Sequence, residues 1–289
     1  MHISEIWRFP VKSMSGETLE TAIISERGIL GDRSYALIDT ETGKVGSAKS
    51  TKKFARILEC KARFLEEPEL GATMPPVRVE LPDGRVTTSD ADDIDSLLSD
   101  FFGHAVTLAQ VPPKEFIIDQ TIPDVEDADP MGLPGAVKQS PLGHTLFKEL
   151  GMDLPIPEGL FFDVFPLTVI TDATLAQMET LSEHTRADPR RFRMNFLIET
   201  GEQGFVENGW IGQSLALDGG VKMVVTMPDP RCVVTTLPQG VLPQDIDVIR
   251  TLVAHNRLDL EGRQYPCAGV YAMPVAGGAL KQGEKVTLA

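Results

Sequence analysis

Cysteine and histidine are scarce in this sequence, and their spacing excludes the common local metal sites. The three cysteines, Cys60, Cys232 and Cys267, lie far apart, and no CxxC pair occurs. A zinc knuckle or iron–sulfur motif built from neighbouring cysteines is therefore excluded. The five histidines show no HExxH spacing, which excludes that zinc-protease motif as well.

Long apolar runs and a leader pattern are also missing. No apolar run approaches the roughly 20 residues that a membrane-spanning helix needs. The N-terminal segment does not combine a basic start with an apolar stretch, as a signal peptide does. We therefore expect a cytoplasmic protein without a membrane partner.

Positive charge is in short supply. The 289 residues carry 27 lysines and arginines against 42 acidic residues, a formal net charge of −15. This surplus repels nucleic acid, so we expect no nucleic-acid partner. It also makes any local group of cations informative, because such a group opposes the background.

Turn residues and short apolar segments divide the chain into two predicted domains. Residues 1–111 are expected to form a β-barrel-like domain, with strands at 3–9, 19–25, 35–39, 55–64 and 77–81, and a helix after Ser89 and Asp90. Residues 112–289 are expected to form a second domain, which starts with a Pro- and Asp-rich connection over about 112–160. Its predicted elements are strands at 166–170, 190–198, 221–226 and 271–275 and helices at 173–181 and 244–256. The fold class expected is a mixed, β-rich α+β fold.

The segment 190–198, RRFRMNFLI, predicts a strand with an unusual face. Alternation places Arg191, Arg193 and Asn195 on one side of this strand. Arginine is well suited to bidentate recognition of phosphate. We therefore expect an anion site on this face.

Other cations and hydroxyls fall in loops. Lys12 and Ser13 follow the first strand, and Arg33 follows a glycine-rich turn. Each is compatible with binding a phosphate or with a solvated loop, and the run Lys49, Lys52 and Lys53 is interpreted as a solvated face. Thr171 and Asp172 stand between a predicted strand and a predicted helix. Residues at such a position cap the helix, and anions also bind there. Capping is the interpretation that the sequence favours.

The segment 227–240, MPDPRCVVTTLPQG, contains a cysteine beside an arginine. Arg231 is expected to favour the thiolate of Cys232, the form that binds metal or attacks electrophiles. A half-buried structural cysteine is the alternative, and the residues alone leave both open. Asp229 is interpreted as a turn residue, with a role as proton donor as the alternative.

Several of these segments occur in an order that resembles a known family. They are PVKS at 10–13, GDR at 31–33, VITDA at 169–173, RFRMN at 191–195, WIG at 210–212, RCVVTT at 231–236 and KQGE at 281–284. Over nearly its whole length the chain resembles the MOSC family (molybdenum cofactor sulfurase C-terminal domain) with an N-terminal MOSC β-barrel domain. Within that family it is similar to bacterial relatives of the mitochondrial amidoxime-reducing component.

The resemblance implies a C-terminal MOSC β-barrel with peripheral helices that binds the molybdenum cofactor (molybdopterin with molybdenum). It implies that Cys232 is the catalytic residue and the protein ligand of molybdenum. The residues implied to hold the pterin and its phosphate are Lys12, Ser13, Arg33, Thr171, Arg193 and Asn195, with Asp172, Arg191, Arg231 and Thr235 as further candidates.

The implied reaction is reduction of a small N-oxygenated (N-hydroxylated) substrate. Because no cysteine cluster occurs here, we expect electrons from a separate protein of ferredoxin, flavodoxin or cytochrome type. Two alternatives stay open: a sulfur-transfer protein that carries a persulfide on Cys232, and a non-catalytic carrier of the cofactor.

Overall fold

The computed structural model describes residues 1–150 and 159–289. The strands of the first half are β1 (His2–Arg8), β2 (Glu17–Thr18), β3 (Thr21–Ser25), β4 (Gly28–Ile29), β5 (Ala36–Asp39), β6 (Lys61–Phe64), β7 (Val77–Glu80), β8 (Val86–Thr88), β9 (Val106–Ala109), β10 (Ile117–Thr121) and β11 (Val137–Pro141). The strands of the second half are β12 (Leu167–Thr171), β13 (Phe196–Glu199), β14 (Ser214–Leu217), β15 (Lys222–Pro230), β16 (Arg257–Leu260), β17 (Arg263–Ala276), β18 (Gly278–Lys281) and β19 (Val286–Leu288). The α-helices are α1 (Ile94–Phe102), α2 (Gly143–Glu149), α3 (Asp172–Leu181) and α4 (Asp247–His255).

A mixed sheet of nine strands organises the second half of the chain. Its order is β19-β14-β15-β17-β12-β13-β1-β2, and β16 pairs with β17 beside this path. The pairing of β12 with β13 is parallel, and α3 connects these two strands in sequence. Strands are thus the main elements, with helices around them, and the predicted β-rich α+β class is confirmed.

Strands from the first half of the chain pair with strands from the second half. β1 pairs with β13, with Ile6 opposite Phe196. β3 pairs with β18, with Ala22 opposite Leu280. The first residues therefore contribute to the sheets of the second half, and folding must join segments that are distant in sequence.

The segment after Cys232 packs into the core of the first half. Val233, Val234 and Leu237 are buried in one apolar cluster with side chains such as Leu37 and Ile57. Burying three aliphatic side chains of this size contributes about 1.5–3 kcal/mol each. This packing fixes the cysteine segment where the two halves of the chain meet.

Three predictions for the region 55–160 need correction. Residues 55–64 are not one strand, because Ala55–Glu59 forms a 3₁₀ helix before β6. The helix expected after Ser89 and Asp90 begins at Ile94. The connection over 112–160 contains the β10–β11 hairpin and α2, and its residues 151–158 lie outside the described residues.

The segment 190–198 is not one strand either. Pro189–Arg191 is a 3₁₀ helix, and β13 begins only at Phe196. Arg193 between them has φ of +56°, a left-handed conformation that interrupts an extended strand. None of the helices in the two described ranges combines the length and the apolar character needed to cross a bilayer.

Candidate functional site

A narrow cleft of about 100 Å³ lies beside the cysteine segment. Side chains from both halves of the chain line it, and several are charged although the cleft is mostly enclosed by protein. They are Lys12, Ser13, Arg33, Ser47, Lys49, Phe162, Asp163, Phe165, Thr168, Phe192, Arg193, Asn195, Asp229, Pro230, Arg231, Cys232, Val234 and Tyr271.

Cys232 lines the cleft, and the elements before and after it in the chain fix its position. It follows the end of β15, where Pro230 lies opposite Cys267 of β17. The 3₁₀ helix Val233–Thr236 begins directly after it, and the hydroxyl of Thr235 donates a hydrogen bond to the Cys232 carbonyl at 3.1 Å. The thiol is half-buried and lines the cleft, whereas Cys60 and Cys267 are buried.

Asp163 joins two lysines that line the cleft. One of its carboxylate oxygens accepts from Lys12, and the other lies 2.6 Å from the Nζ of Lys49. Burial opposes the carboxylate, but attraction to Lys12 and Lys49 outweighs it and lowers the pKa of Asp163. The two ammonium groups are therefore held at one place by a single shared anion.

The two lysines respond to this arrangement in opposite ways. Burial lowers the pKa of Lys12 to about 8, because attraction to Asp163 only partly offsets the loss of water and Lys49 adds repulsion. Burial opposes the charge of Lys49 too, but attraction to Asp163, Cys232 and Asp229 raises its pKa to about 12. Lys49 keeps its charge through the physiological range, while Lys12 titrates near its upper edge.

Two arginines share one aromatic ring. The guanidinium carbons of Arg33 and Arg193 lie 4.6 and 4.4 Å from the centroid of the Phe9 ring. Burial, and after it repulsion from Arg33, lowers the pKa of Arg193 to about 9. Cation–π contact with Phe9 helps to keep both guanidiniums in place.

Backbone strain is concentrated at this cleft. Among the described residues, five that are not glycine have a positive φ, and three of them are Ser13, Arg33 and Arg193. A left-handed conformation costs a residue with a side chain about 1–3 kcal/mol, and such strain is typical of functional sites. The chain accepts this cost at three residues that all face the same cleft.

Asp229, Arg231 and Tyr271 form a buried polar group next to Cys232. Arg231 donates hydrogen bonds to Asp229 and to the Phe192 carbonyl, the latter at 2.7 Å. Burial raises the pKa of Asp229, although Arg231 and Lys49 oppose this shift. Burial also raises the pKa of Tyr271 well above its usual value, so its phenol stays protonated.

The cleft carries an excess of positive charge. Of the described residues that line it, five are cationic and two are acidic. The guanidinium of Arg193 hydrogen-bonds a neutral group, the Met14 carbonyl, at 2.8 Å. The buried Nε of Arg231 has no hydrogen-bond partner among residues 1–150 and 159–289. In a protein with a net charge of −15, this concentration of cations favours an anionic ligand.

Two family models match the chain. Residues 1–105 match the MOSC N-terminal beta barrel domain, and residues 158–287 match the MOSC domain. The chain belongs to the MOSC family. MOSC domains are associated with proteins that bind the molybdenum cofactor.

Similar solved structures are remote in sequence. The YUAD protein from Bacillus subtilis is 9% identical, with 99% of this chain and 94% of that chain covered and a TM-score of 0.45. YiiM from Geobacillus stearothermophilus is 14% identical, with 43% and 54% covered and a TM-score of 0.30. No curated protein matches the chain.

The structure brings together seven of the residues that the sequence predicted for the site. They come from four separate segments and line the one cleft: Lys12, Ser13, Arg33, Arg193, Asn195, Arg231 and Cys232. That they bind a cofactor stays a prediction. The interpretation of Asp229 as a turn residue is wrong, because β15 continues through Asp229 to Pro230.

Asn195 lines the cleft, but its amide is fully engaged by the protein. Its oxygen accepts from the backbone N–H and the hydroxyl of Thr168, at 3.1 and 3.0 Å. Its nitrogen donates to the Trp7 carbonyl at 3.2 Å and to Asp32 at 2.9 Å. An amide has two donors and two acceptor sites, so none is left for a ligand. Asn195 therefore positions Asp32, which in turn pairs with Arg33.

The prediction that Thr171 and Asp172 hold the cofactor needs correction. Neither residue is in the described lining of the cleft. The Thr171 hydroxyl caps α3 by accepting from the Thr174 N–H at 3.1 Å, and it donates to buried Glu207 at 2.7 Å. Asp172 accepts from the backbone and hydroxyl of Thr200, at 2.9 and 3.0 Å. Helix capping accounts for Thr171, and the hydrogen bonds from Thr200 account for Asp172.

Arg191 and Thr235 also belong to the framework rather than to the cleft wall. Arg191 is 1% exposed and donates to the carbonyls of Thr235, Leu237 and Pro243, the last at 2.8 Å. Thr235 is fully buried. The two residues hold the backbone of the segment that follows Cys232, and the predicted common face of Arg191 and Arg193 does not exist.

Lys49 and Asp163 are site residues that the sequence reasoning missed. Lys49 was expected on a solvated face, but its side chain is only 14% exposed and lines the cleft. Lys52 is exposed, and Lys53 pairs with Asp39. No local pattern separates Lys49 from these neighbours, because its partner Asp163 is more than a hundred residues away in the chain.

Proposed function

We propose that this chain binds the molybdenum cofactor and reduces N-hydroxylated compounds, with Cys232 as the metal ligand. The observation that supports the proposal most is the position of Cys232. It is the half-buried thiol in a cleft that gathers five cations within an acidic protein. Membership of the MOSC family supports the cofactor, and the resemblance to the amidoxime-reducing component suggests the substrate.

The donor set fits the chemistry of this cofactor. A thiolate is a soft ligand and suits a metal of this kind. The cofactor is anionic, and Lys12, Lys49, Arg33 and Arg193 supply charge-assisted donors for its oxygens. The partnerless Nε of Arg231 is a further donor that the described protein leaves free.

The size of the cleft sets which part of the cofactor it holds. Sites that enclose a small molecule measure roughly 300–1,000 Å³, and the cleft measures about 100 Å³. If the cofactor binds here, the cleft would hold only part of it. Arg193 also lines a second cavity of about 360 Å³ with Trp7 and Phe9, which offers room for the remainder.

The cofactor supplies, when bound, the two-electron chemistry that removes the oxygen of an N–OH group. The overall reaction converts R–NH–OH, two electrons and two protons into R–NH₂ and water, and the electrons come from a separate donor protein. Burial raises the pKa of the Asp229 carboxyl group, which lines the cleft with Cys232 and pairs with Arg231. Lys49, Arg33 and Arg193 would hold the anionic ligand in place, and Tyr271 packs on Phe165 at 5.8 Å between ring centroids.

The test is expression in a host that makes the molybdenum cofactor. We expect molybdenum and pterin to copurify with the protein in a ratio of one to one. We also expect reduction of an amidoxime with a chemically reduced dye as donor. Protein that carries pterin but turns over no N-hydroxylated compound would support the carrier function instead. A labile sulfur on Cys232 without pterin would support sulfur transfer.

A further inference from the structure

The second cavity, the space of about 360 Å³ that Arg193 also lines, carries a charge opposite to that of the whole protein. Three cations line it, Lys61, Arg190 and Arg193, and no acidic residue occurs in its described lining. Lys61 is exposed and forms no ion pair or side-chain hydrogen bond in the part of the chain that the structure describes. Arg190 is exposed as well and pairs with Asp188. In a protein with a net charge of −15, this face is a local exception.

An exposed apolar side chain also belongs to the rim of this cavity. Val241 is 85% exposed and lines the cavity. It lies at the tip of a tight turn, in which Gln239 and Leu242 exchange backbone hydrogen bonds at 3.0 and 2.9 Å. The side-chain amide of Gln239 donates to the Val234 carbonyl at 3.3 Å, which ties the turn to the segment that follows Cys232. The fold therefore presents an apolar residue to solvent next to the cations.

Two stacked aromatic rings connect the cavity with the cleft. The centroids of the Trp7 and Phe9 rings lie 6.1 Å apart, and their planes differ by 13°. Both rings line the cavity, and Trp7 is half-buried. Arg33 and Arg193 lie over the Phe9 ring and line the cleft together with Cys232. A protein seated over the cavity is thus separated from the cleft by packed side chains rather than by solvent.

We propose that this face is the docking surface for the electron donor, and that the donor is an acidic electron-transfer protein. The docking surface consists of Lys61, Arg190 and Val241 around the second cavity. The inference rests on the proposed function, which requires electrons from a separate protein. An apolar centre with a polar, charged rim is the usual composition of a protein interface. Weak electron-transfer complexes bury small areas, so a surface of this extent is sufficient.

Charge complementarity favours an acidic partner over a basic one. The chain carries 42 acidic residues against 27 lysines and arginines, so the protein as a whole repels an acidic partner. Attraction at the docking surface and repulsion elsewhere orient such a partner before contact is made. A basic protein is attracted to the acidic parts of the surface instead and is not directed to the cavity.

Direct binding tests the docking surface without the cofactor. Two soluble probes are used, an acidic ferredoxin and a basic cytochrome c, and their binding to the cofactor-free protein is measured by calorimetry. We expect the ferredoxin to bind, with an affinity that falls as salt is added. Lys61→Glu and Val241→Glu should each weaken this binding by about tenfold or more, because the new charge repels the partner. Lys285→Glu and Val275→Glu are the matched controls, since both residues are exposed and neither lines the cavity.

Turnover with two donors tests whether this binding serves the reaction. Two reduced ferredoxins supply one electron each for the conversion of R–NH–OH and two protons into R–NH₂ and water, and the reduced dye supplies the same electrons without docking. Lys61→Glu and Val241→Glu should raise the KM for ferredoxin by about the factor by which they weaken binding. They should leave the molybdenum content and the dye-driven turnover unchanged.

Each outcome has a distinct meaning. Absence of ferredoxin binding, stronger binding of cytochrome c, or equal effects of Lys61→Glu and Lys285→Glu would overturn the inference. Loss of dye-driven turnover in both Lys61→Glu and Val241→Glu would do so too, because it would assign these residues to the cofactor site. Dye-driven turnover without ferredoxin binding leaves the proposed function standing and the inference overturned. Ferredoxin binding that depends on Lys61 and Val241, without any turnover, retains the docking surface and overturns the proposed function.

Discussion

Arg33 donates a hydrogen bond from its guanidinium to the backbone carbonyl of Arg193, at 3.1 Å. Both residues have left-handed backbones, and both guanidiniums lie over Phe9. The chain therefore holds two like charges together at the cost of strain and repulsion. An anion in the cleft would offset that repulsion, and this relationship is the basis of the first prediction.

Replacement of Arg193 by methionine should weaken cofactor binding without unfolding the protein. One charge-assisted hydrogen bond contributes about 1.5–3 kcal/mol, so the dissociation constant should rise roughly tenfold to a hundredfold. Stability of the cofactor-free protein should change by less than about 1 kcal/mol, because removal of a repelled buried charge offsets the lost contacts. Arg250→Met is the control, since Arg250 is exposed and pairs with Asp247. Equal affinity in the two variants would contradict this role.

Arg191→Met should lower the stability of the protein rather than weaken cofactor binding directly. Arg191 is buried and donates to the three carbonyls that follow Cys232 in the chain. Its loss leaves these acceptors without their donor and should lower the free energy of unfolding by about 2–3 kcal/mol. Urea unfolding of cofactor-free Arg191→Met and Arg193→Met measures the contrast. A stable Arg191→Met protein that binds the cofactor more weakly would indicate instead that Arg191 contacts the cofactor.

The affinity for anions should depend on pH through Lys12. Burial lowers its pKa to about 8, so Lys12 is charged below pH 8 and loses its proton above it. Sulfate, whose own charge is constant in this range, should therefore bind best below pH 8 and more weakly as the pH rises past it. Lys12→Arg should keep the affinity constant through pH 8, so that any decline begins only near the pKa of Arg193, about 9. A profile that is the same in both proteins would exclude Lys12 as the titrating group.

How far the sequence predicts this site differs from residue to residue. Lys12, Ser13, Arg33 and Cys232 lie in recognisable motifs, and the structure places all four on one cleft. The prediction for Arg193 relies on an alternating strand pattern over 190–198, and the structure does not form that strand. Its left-handed backbone depends on contacts with Met14 and Phe9, which no local pattern encodes.

Residues that act through distant partners were the hardest to predict. Asp163 and Lys49 meet only because the fold joins remote segments. Asn195 lines the cleft, but its hydrogen bonds to Trp7, Asp32 and Thr168 show that it positions other residues. Similarly, the two prolines around Asp229 suggested a turn, whereas pairing with β17 keeps this segment extended.

Asp229→Asn should slow turnover while the metal content is retained. Burial raises the pKa of Asp229, which lines the cleft with Cys232, and an amide at this position cannot take up or donate a proton as a carboxyl group can. A general acid contributes typically about 10²–10⁴-fold, so kcat should fall by roughly that factor. Wild-type kcat should decline as the pH rises past the pKa of Asp229, and this limb should be absent in the variant. Unchanged kcat and an unchanged pH profile would exclude Asp229 as the donor.

The molybdenum content of Cys232→Ala tests the central claim most directly. The protein is purified from a host that makes the cofactor, beside wild type and Cys267→Ala. Cys267 is the control because it is a buried thiol whose pKa is raised to about 12 by burial. We expect wild type and Cys267→Ala to contain one molybdenum per chain, and Cys232→Ala to contain little or no molybdenum. Equal molybdenum in all three proteins, or none in the wild type, would contradict the account.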